Sequence, residues 1–165
     1  MTSLAHVWLA AGWATCAALA VPIVRQAPER CGPAALAMVL RYYRADSAAI
    51  AEADRAYDPV LRGALVTDLA ASARRAGFDA RVATPGADSL ERWVAAGVPP
   101  IVLYQGRFGP VARGHYGVVV GFDRPGGGPT LHDGGPHPAR LARREFVRRW
   151  MARGGVALLV TPRAP

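Results

Sequence analysis

Four side chains in this sequence have types and settings suited to one reaction. Cys31 opens the segment Cys31-Gly-Pro-Ala-Ala-Leu-Ala-Met-Val-Leu-Arg-Tyr-Tyr43, where Leu36, Val39, Leu40 and Tyr43 recur at helical spacing. Pro33 falls in the first turn of that predicted helix, where a missing N–H costs nothing. A sulfur at such a helix start meets unsatisfied backbone N–H groups and the positive end of the helix dipole, both of which stabilise a thiolate. A thiolate is the competent nucleophile for attack on an acyl carbon. His115 stands at the mouth of the apolar run Tyr116-Gly-Val-Val-Val-Gly121, and Asp133 ends the run Thr130-Leu-His-Asp133. In a hairpin the start of one strand lies beside the end of the next. Asp133 is therefore expected to reach the distal nitrogen of His115 and orient the ring as the base for Cys31. Gln26, five positions before Cys31, could donate its amide to an oxyanion, with the Cys31 backbone N–H as second donor.

Each of these residues also has a structural reading. A cysteine can be a small buried residue under a helix cap. A histidine at a strand end can bond a backbone carbonyl. An aspartate followed by Gly134-Gly135-Pro136 can be a turn residue. His132 and His137 are rival bases, but His132 neighbours Asp133 on a strand, so the two point to opposite faces. His115, His132, Asp133 and His137 together lack a recognisable zinc-ligand spacing, so no metal is expected.

The elements that must position these groups can be read from period and punctuation. A second helix is expected from Ser47 as cap to about Ala56, and a third from Thr67 to near Gly77. A brief helix capped by Ser89 should stop at Gly97, and a late one should contain Leu141, Phe146 and Trp150. Strands are expected at Asp79–Val82, Ile101–Tyr104, Tyr116–Phe122, Thr130–Leu131 and Val156–Thr161. Gln105 to Gly114 reads as a surface connection beside the cleft, and Gly126-Gly127-Gly128 as a turn between strands. Helices come first and strands later, which indicates an α+β fold with a largely antiparallel sheet.

On these residues rests a family resemblance. The stretch Gln26-Ala-Pro-Glu-Arg-Cys31-Gly-Pro-Ala-Ala-Leu-Ala-Met-Val-Leu-Arg-Tyr-Tyr43 resembles the active-site motif of the bacteriocin-processing, double-glycine-leader cysteine peptidases. Gly114-His115-Tyr116-Gly-Val-Val-Val-Gly-Phe-Asp123 resembles their histidine motif, and Thr130-Leu-His-Asp133 the strand bearing their third catalytic residue. The resemblance implies a papain-like fold, with Cys31 on a central helix and His115 and Asp133 on a C-terminal antiparallel sheet. It also implies a Cys31-His115-Asp133 triad with Gln26 as oxyanion donor, no cofactor, and a peptide or protein as substrate. Two features depart from the family pattern: Arg30 replaces the common acidic residue before the cysteine, and the glutamine lies five rather than six positions upstream. The chain thus resembles free-standing, exported members, for which specificity for a Gly-Gly leader does not follow. A transferase or amidase using the same triad, or a non-catalytic peptide-binding module, are the alternatives.

Composition narrows the remaining classes. The 165 residues suit one domain, 52% are hydrophobic, and there are 2 cysteines, which excludes a disordered chain and a disulfide scaffold. The formal net charge is +8, but all 20 cations are arginines scattered along the chain, without the cationic stripe and interleaved aromatics of a nucleic-acid binder. The densest cluster, Arg140 to Arg149, reads as a solvated helix face. No charge precedes Arg25, Val7 to Ala20 is almost wholly apolar, and Ala18-Leu19-Ala20 offers the small residues a signal peptidase reads. Residues 1–20 are therefore expected to be a signal peptide, or an uncleaved membrane anchor, with 21–165 as a monomeric exported domain. Cys31 would then be the sole remaining cysteine.

Overall fold

The computed structural model describes residues 18–108 and 111–164. The bulk of the expected leader, including Cys16, lies outside the described residues. Helix α1 runs Cys31–Tyr42, α2 Ser47–Ala51, α3 Val66–Arg75, α4 Ala87–Ala95 and α5 Arg143–Met151, with a 3-10 turn at Glu52–Ala56. The strands are β1 Phe78–Ala83, β2 Ile101–Phe108, β3 Val111–Phe122, β4 Pro129–His132, β5 Ala139–Arg140 and β6 Ala157–Pro162. They form an antiparallel sheet in the order β1-β6-β2-β3-β4-β5.

The sheet is covered on both faces, and the sequence of β3 explains how. Side chains alternate across a strand, so Tyr116, Val118 and Val120 enter a core with Leu36, Met38, Val39 and Leu40 of α1 and Leu69 of α3. Val119, and Phe122 beyond the register shift between Val119 and Gly121, enter a second core with Leu90 of α4 and Phe146 and Trp150 of α5. A strand buried on both sides reads as a continuous apolar run, as Tyr116–Phe122 does. Helix α1 is buried at nearly every position from Gly32 to Leu40, the pattern of a central rather than a surface helix. Trp150 is 1% exposed and donates its indole N–H to the Val156 carbonyl at 2.8 Å.

Several local expectations shift. Asp46, not Ser47, caps α2, its carboxylate accepting the Ala49 N–H at 2.8 Å. Thr67 and Ser89 lie inside their helices, whose N-caps are Leu65 and Gly86. Gln105 to Gly114 is not an irregular connection: β2 and β3 extend through it as hairpin arms. Periodicity missed this because Gly106 interrupts one arm and Gly114 the other. The arginines of α5 do form an ion-paired surface, Arg148 and Arg149 with Glu145, and Arg143 with Asp88. In the turn after β3, a side chain on Gly127 would run into the Asp123 carboxylate, and one on Gly128 into the Leu141 carbonyl.

At the start of the described chain, the Leu19 N–H donates to the Val120 carbonyl at 2.7 Å, and Val21 is 4% exposed in the core. Gly121 makes room for Ala18, whose Cβ would lie 3.1 Å from a side-chain carbon there. The residues flanking the expected cleavage point are thus packed on the sheet. No helix among the described residues is long and apolar enough to cross a membrane.

Candidate active site

Cys31 is the first residue of α1 and is partly exposed. No side chain caps this helix at Arg30, and its first turn carries no acidic residue. The free N–H groups of the turn and the positive end of the dipole therefore remain directed at whatever lies beyond Cys31. The loop before it is pinned. Glu29 adopts φ 65°, outside the usual range for a side-chain-bearing residue, and pairs with Arg62 of the neighbouring turn. The Arg62 guanidinium holds the Glu29 carboxyl below its usual range. Arg30 lies over the Tyr57 ring at 4.2 Å and reaches Asp54 at 3.3 Å. The turn Asp58–Gly63 carries the exposed Val60 and Leu61 as a rim beside this loop.

Gly32 seats the start of α1 on the strand that carries His115. A side-chain carbon at Gly32 would stand 3.2 Å from the Tyr116 ring, 3.0 Å from Ala64 and 3.3 Å from Leu69. The Tyr116 hydroxyl donates to the Ala64 carbonyl at 3.1 Å, which fixes that ring. Tyr116 follows His115, and Tyr104 faces His115 across the β2–β3 ladder. Burial pushes up the pKa of both phenols; for Tyr104 the Asp133 charge comes next, opposed by Arg149, and for Tyr116 the neighbouring Cys31. Cys31, next to Gly32, thus lies near Tyr116, the chain neighbour of His115.

His115 is 4% exposed. Its Nε2 lies 2.9 Å from the backbone carbonyl of Asp133. A carbonyl only accepts, so Nε2 carries the proton and Nδ1 is the basic nitrogen of the neutral ring. Burial pulls the imidazole below its ordinary 6.5, opposed by the carbonyl bond and by the Asp133 charge. The Tyr104 ring meets the imidazole edge-on, with centroids 5.6 Å apart.

Asp133 lies one residue beyond β4 and does reach the distal nitrogen, through its main-chain oxygen. Its carboxylate accepts the Gly135 N–H at 3.2 Å and the Tyr104 hydroxyl at 3.5 Å. Asp133 thus makes a turn contact through its carboxylate and meets His115 through its main chain. Gln26 lies against Gly134, the residue after Asp133. Its Oε1 is buried and no donor among the described residues reaches it, a state that costs about 1–3 kcal/mol and is uncommon away from functional sites. Of the rivals, His132 is 8% exposed, with its pKa pulled down by burial, and pairs with Val118 on the α1 face of the sheet; His137 is exposed. Among the described residues no group of three or more His, Cys, Asp or Glu side chains is placed to hold a metal ion.

Tyr104 and Gly134 escaped the sequence reading. Tyr104 acquires its place only from the β2–β3 register, which nothing local reveals. Gly134 carried a signal, a glycine directly after the candidate aspartate, but one shared by any turn.

A central helix with a cysteine at its start, seated against an antiparallel sheet that carries histidine, is the architecture of papain-like cysteine peptidases. The chain belongs to the Peptidase_C39 like family, whose model matches residues 18–158. No curated protein matches the chain. Among solved structures it is similar to the peptidase domain of Streptococcus ComA, a bi-functional ABC transporter involved in a quorum-sensing pathway. That likeness has TM-score 0.68 at 22% identity, covering 87% of this chain and 99% of the other. A C39-like peptidase from Bacillus anthracis aligns with TM-score 0.71 at 18% identity, over 88% and 96% of the two chains. A double glycine motif protease from an AMS/PCAT transporter, solved with its leader peptide, aligns with TM-score 0.67 at 25% identity, over 88% and 94%.

Proposed function

We propose that this protein is an exported cysteine peptidase that cleaves peptide bonds through Cys31, His115 and Asp133, with Gln26 and the Cys31 N–H holding the oxyanion. The observation that carries the reading is the 2.9 Å contact of His115 Nε2 with the Asp133 carbonyl. A carbonyl that accepts from Nε2 leaves Nδ1 free of that proton, which supports Nδ1 as the nitrogen that takes the thiol proton.

The reaction then runs as an acyl transfer in two halves. The Cys31 thiol proton passes to His115 Nδ1, and the sulfur attacks the peptide carbonyl carbon. The carbonyl electron pair moves to oxygen, which accepts hydrogen bonds from the Gln26 amide and the Cys31 N–H. The C–N bond breaks as His115 returns its proton to the leaving amine, leaving a thioester on Cys31. Water, deprotonated by His115, releases the acid and restores the thiol. The Asp133 charge supports the transient imidazolium. The transporter protease solved with its leader peptide supports a peptide as the substrate class.

Replacing Cys31 with Ala tests the reading: turnover of the best-cleaved peptides from a library should fall at least about a thousandfold. Undiminished cleavage would sink it. Added amines that divert the product into new amides would move the reading to a transferase. Export is supported by the charge-free apolar run before Arg25. Mass spectrometry of the mature N-terminus tests it; a retained Met1 would defeat cleavage.

A further inference from the structure

Gly134 stands at a corner that touches both halves of the candidate site. Its φ is +87°, a conformation that side-chain-bearing residues rarely adopt. A Cβ there would fall 2.5 Å from Gln26 Cδ, 2.6 Å from Cγ and 2.7 Å from Oε1. The glutamine side chain therefore lies flat on a bare Cα. The oxygen edge of its amide faces the glycine, which turns the amino end away from it. Nothing else among the described residues anchors that oxygen. On the other side of the same corner, the Asp133 carbonyl meets His115 Nε2. The Asp133 carboxylate, bonded to the Gly135 N–H and the Tyr104 hydroxyl, braces the turn.

We propose that Gly134 is a positioning residue: its missing side chain makes the seat that holds the Gln26 amide toward the oxyanion, while the preceding carbonyl holds the base. The inference rests on the peptidase reading above. It says that oxyanion donor and base are held by adjacent residues of one backbone corner, the donor by Gly134 and the base by the Asp133 carbonyl.

The test is a double-mutant cycle of Gly134→Ala and Gln26→Ala, with peptide turnover and urea unfolding as the two readouts. Backbone strain from Gly134→Ala persists whatever occupies position 26, whereas the clash vanishes with the Gln26 side chain. Gly134→Ala should lower kcat about 10- to 100-fold, approaching Gln26→Ala, with KM little changed. The double variant should be no slower than Gln26→Ala alone. Its urea midpoint should show a smaller cost of Gly134→Ala in the Gln26→Ala background. Iodoacetamide alkylation of Cys31 should keep its parental pH profile in Gly134→Ala, because the His115 contact is to the preceding residue.

Full kcat in Gly134→Ala, or equal costs in both backgrounds, would overturn the proposal. Should the alanine variant fail to fold, Gly134→Asn carries the same Cβ and tolerates positive φ better. The outcomes separate the two claims. If Gln26→Ala leaves turnover intact, the oxyanion role falls and this proposal with it. If Gln26→Ala is slow and Gly134→Ala is not, only the proposal falls. If no peptide is cleaved at all, the peptidase reading falls and the urea cycle still decides whether Gly134 seats Gln26.

Discussion

Gly32→Ala sets two forces against each other at the point where α1, with Cys31 at its start, meets the strand that carries His115. Alanine in a helix is favoured over glycine by about 0.8–1.0 kcal/mol, so propensity alone predicts a more stable protein. Space predicts the reverse. The added carbon would lie 3.0 Å from Ala64 Cβ, 3.2 Å from Tyr116 Cδ2 and 3.3 Å from Leu69 Cδ1. Carbon pairs settle at about 3.5–4.0 Å, so each neighbour must give by a few tenths of an ångström. Tyr116 is held by its hydroxyl on Ala64, and Leu69 is 0% exposed. Neither yields cheaply, so the first turn of α1 should move instead. Overpacking costs about 1–3 kcal/mol, which leaves a net destabilisation of about 0–2 kcal/mol after the propensity gain. The functional effect should be larger, because a displacement of Cys31 by a fraction of an ångström degrades attack geometry; a shift of about 1 Å can cost about a hundredfold. We expect turnover to drop about tenfold while the urea midpoint falls by no more than the equivalent of about 2 kcal/mol. Iodoacetamide labelling of Cys31, read against pH, should change with it. A variant that is both more stable and fully active would refute the packing reasoning.

Other outcomes follow from the same structure. Burial holds His115 and His132 below 6.5, so the unfolded chain takes up protons that the folded one refuses. Stability should be flat above about pH 6.5 and fall below it, by up to about 1.4 kcal/mol per pH unit for each histidine, levelling once the folded values are passed. Urea unfolding from pH 7 to 5 reads this before most carboxylates titrate, and a flat profile would contradict it. His132→Gln should remove part of the acid sensitivity without abolishing turnover. Deleting residues 1–20 should cost about 1–3 kcal/mol relative to deleting 1–17, because the Leu19 bond to Val120 and the Leu19 packing against both cores are lost. Equal melting of the two forms would show that this strand of contacts does not matter.

Much of this protein is legible without coordinates, for a physical reason: the signals are local. The stripe Leu36, Val39, Leu40, Tyr43 specifies a helix because period alone decides which face is buried, and that helix appears at Cys31–Tyr42. The unbroken apolar run Tyr116–Phe122 specifies a strand covered on both sides. The order of Gln26, Cys31, His115 and Asp133 carried the family resemblance. What the sequence could not decide depends on register and on atoms far apart in the chain. Which group of Asp133 meets His115 turns on where β4 ends against β3; the contact is through the carbonyl, and that choice sets the tautomer. Tyr104 enters only because β2 pairs with β3 so that it faces His115. Gly134 matters because Gln26, more than a hundred residues earlier, folds back onto it. Residue types and their order suggest the chemistry; only the tertiary structure decides which atoms meet, as the Asp133 carbonyl meets His115 Nε2.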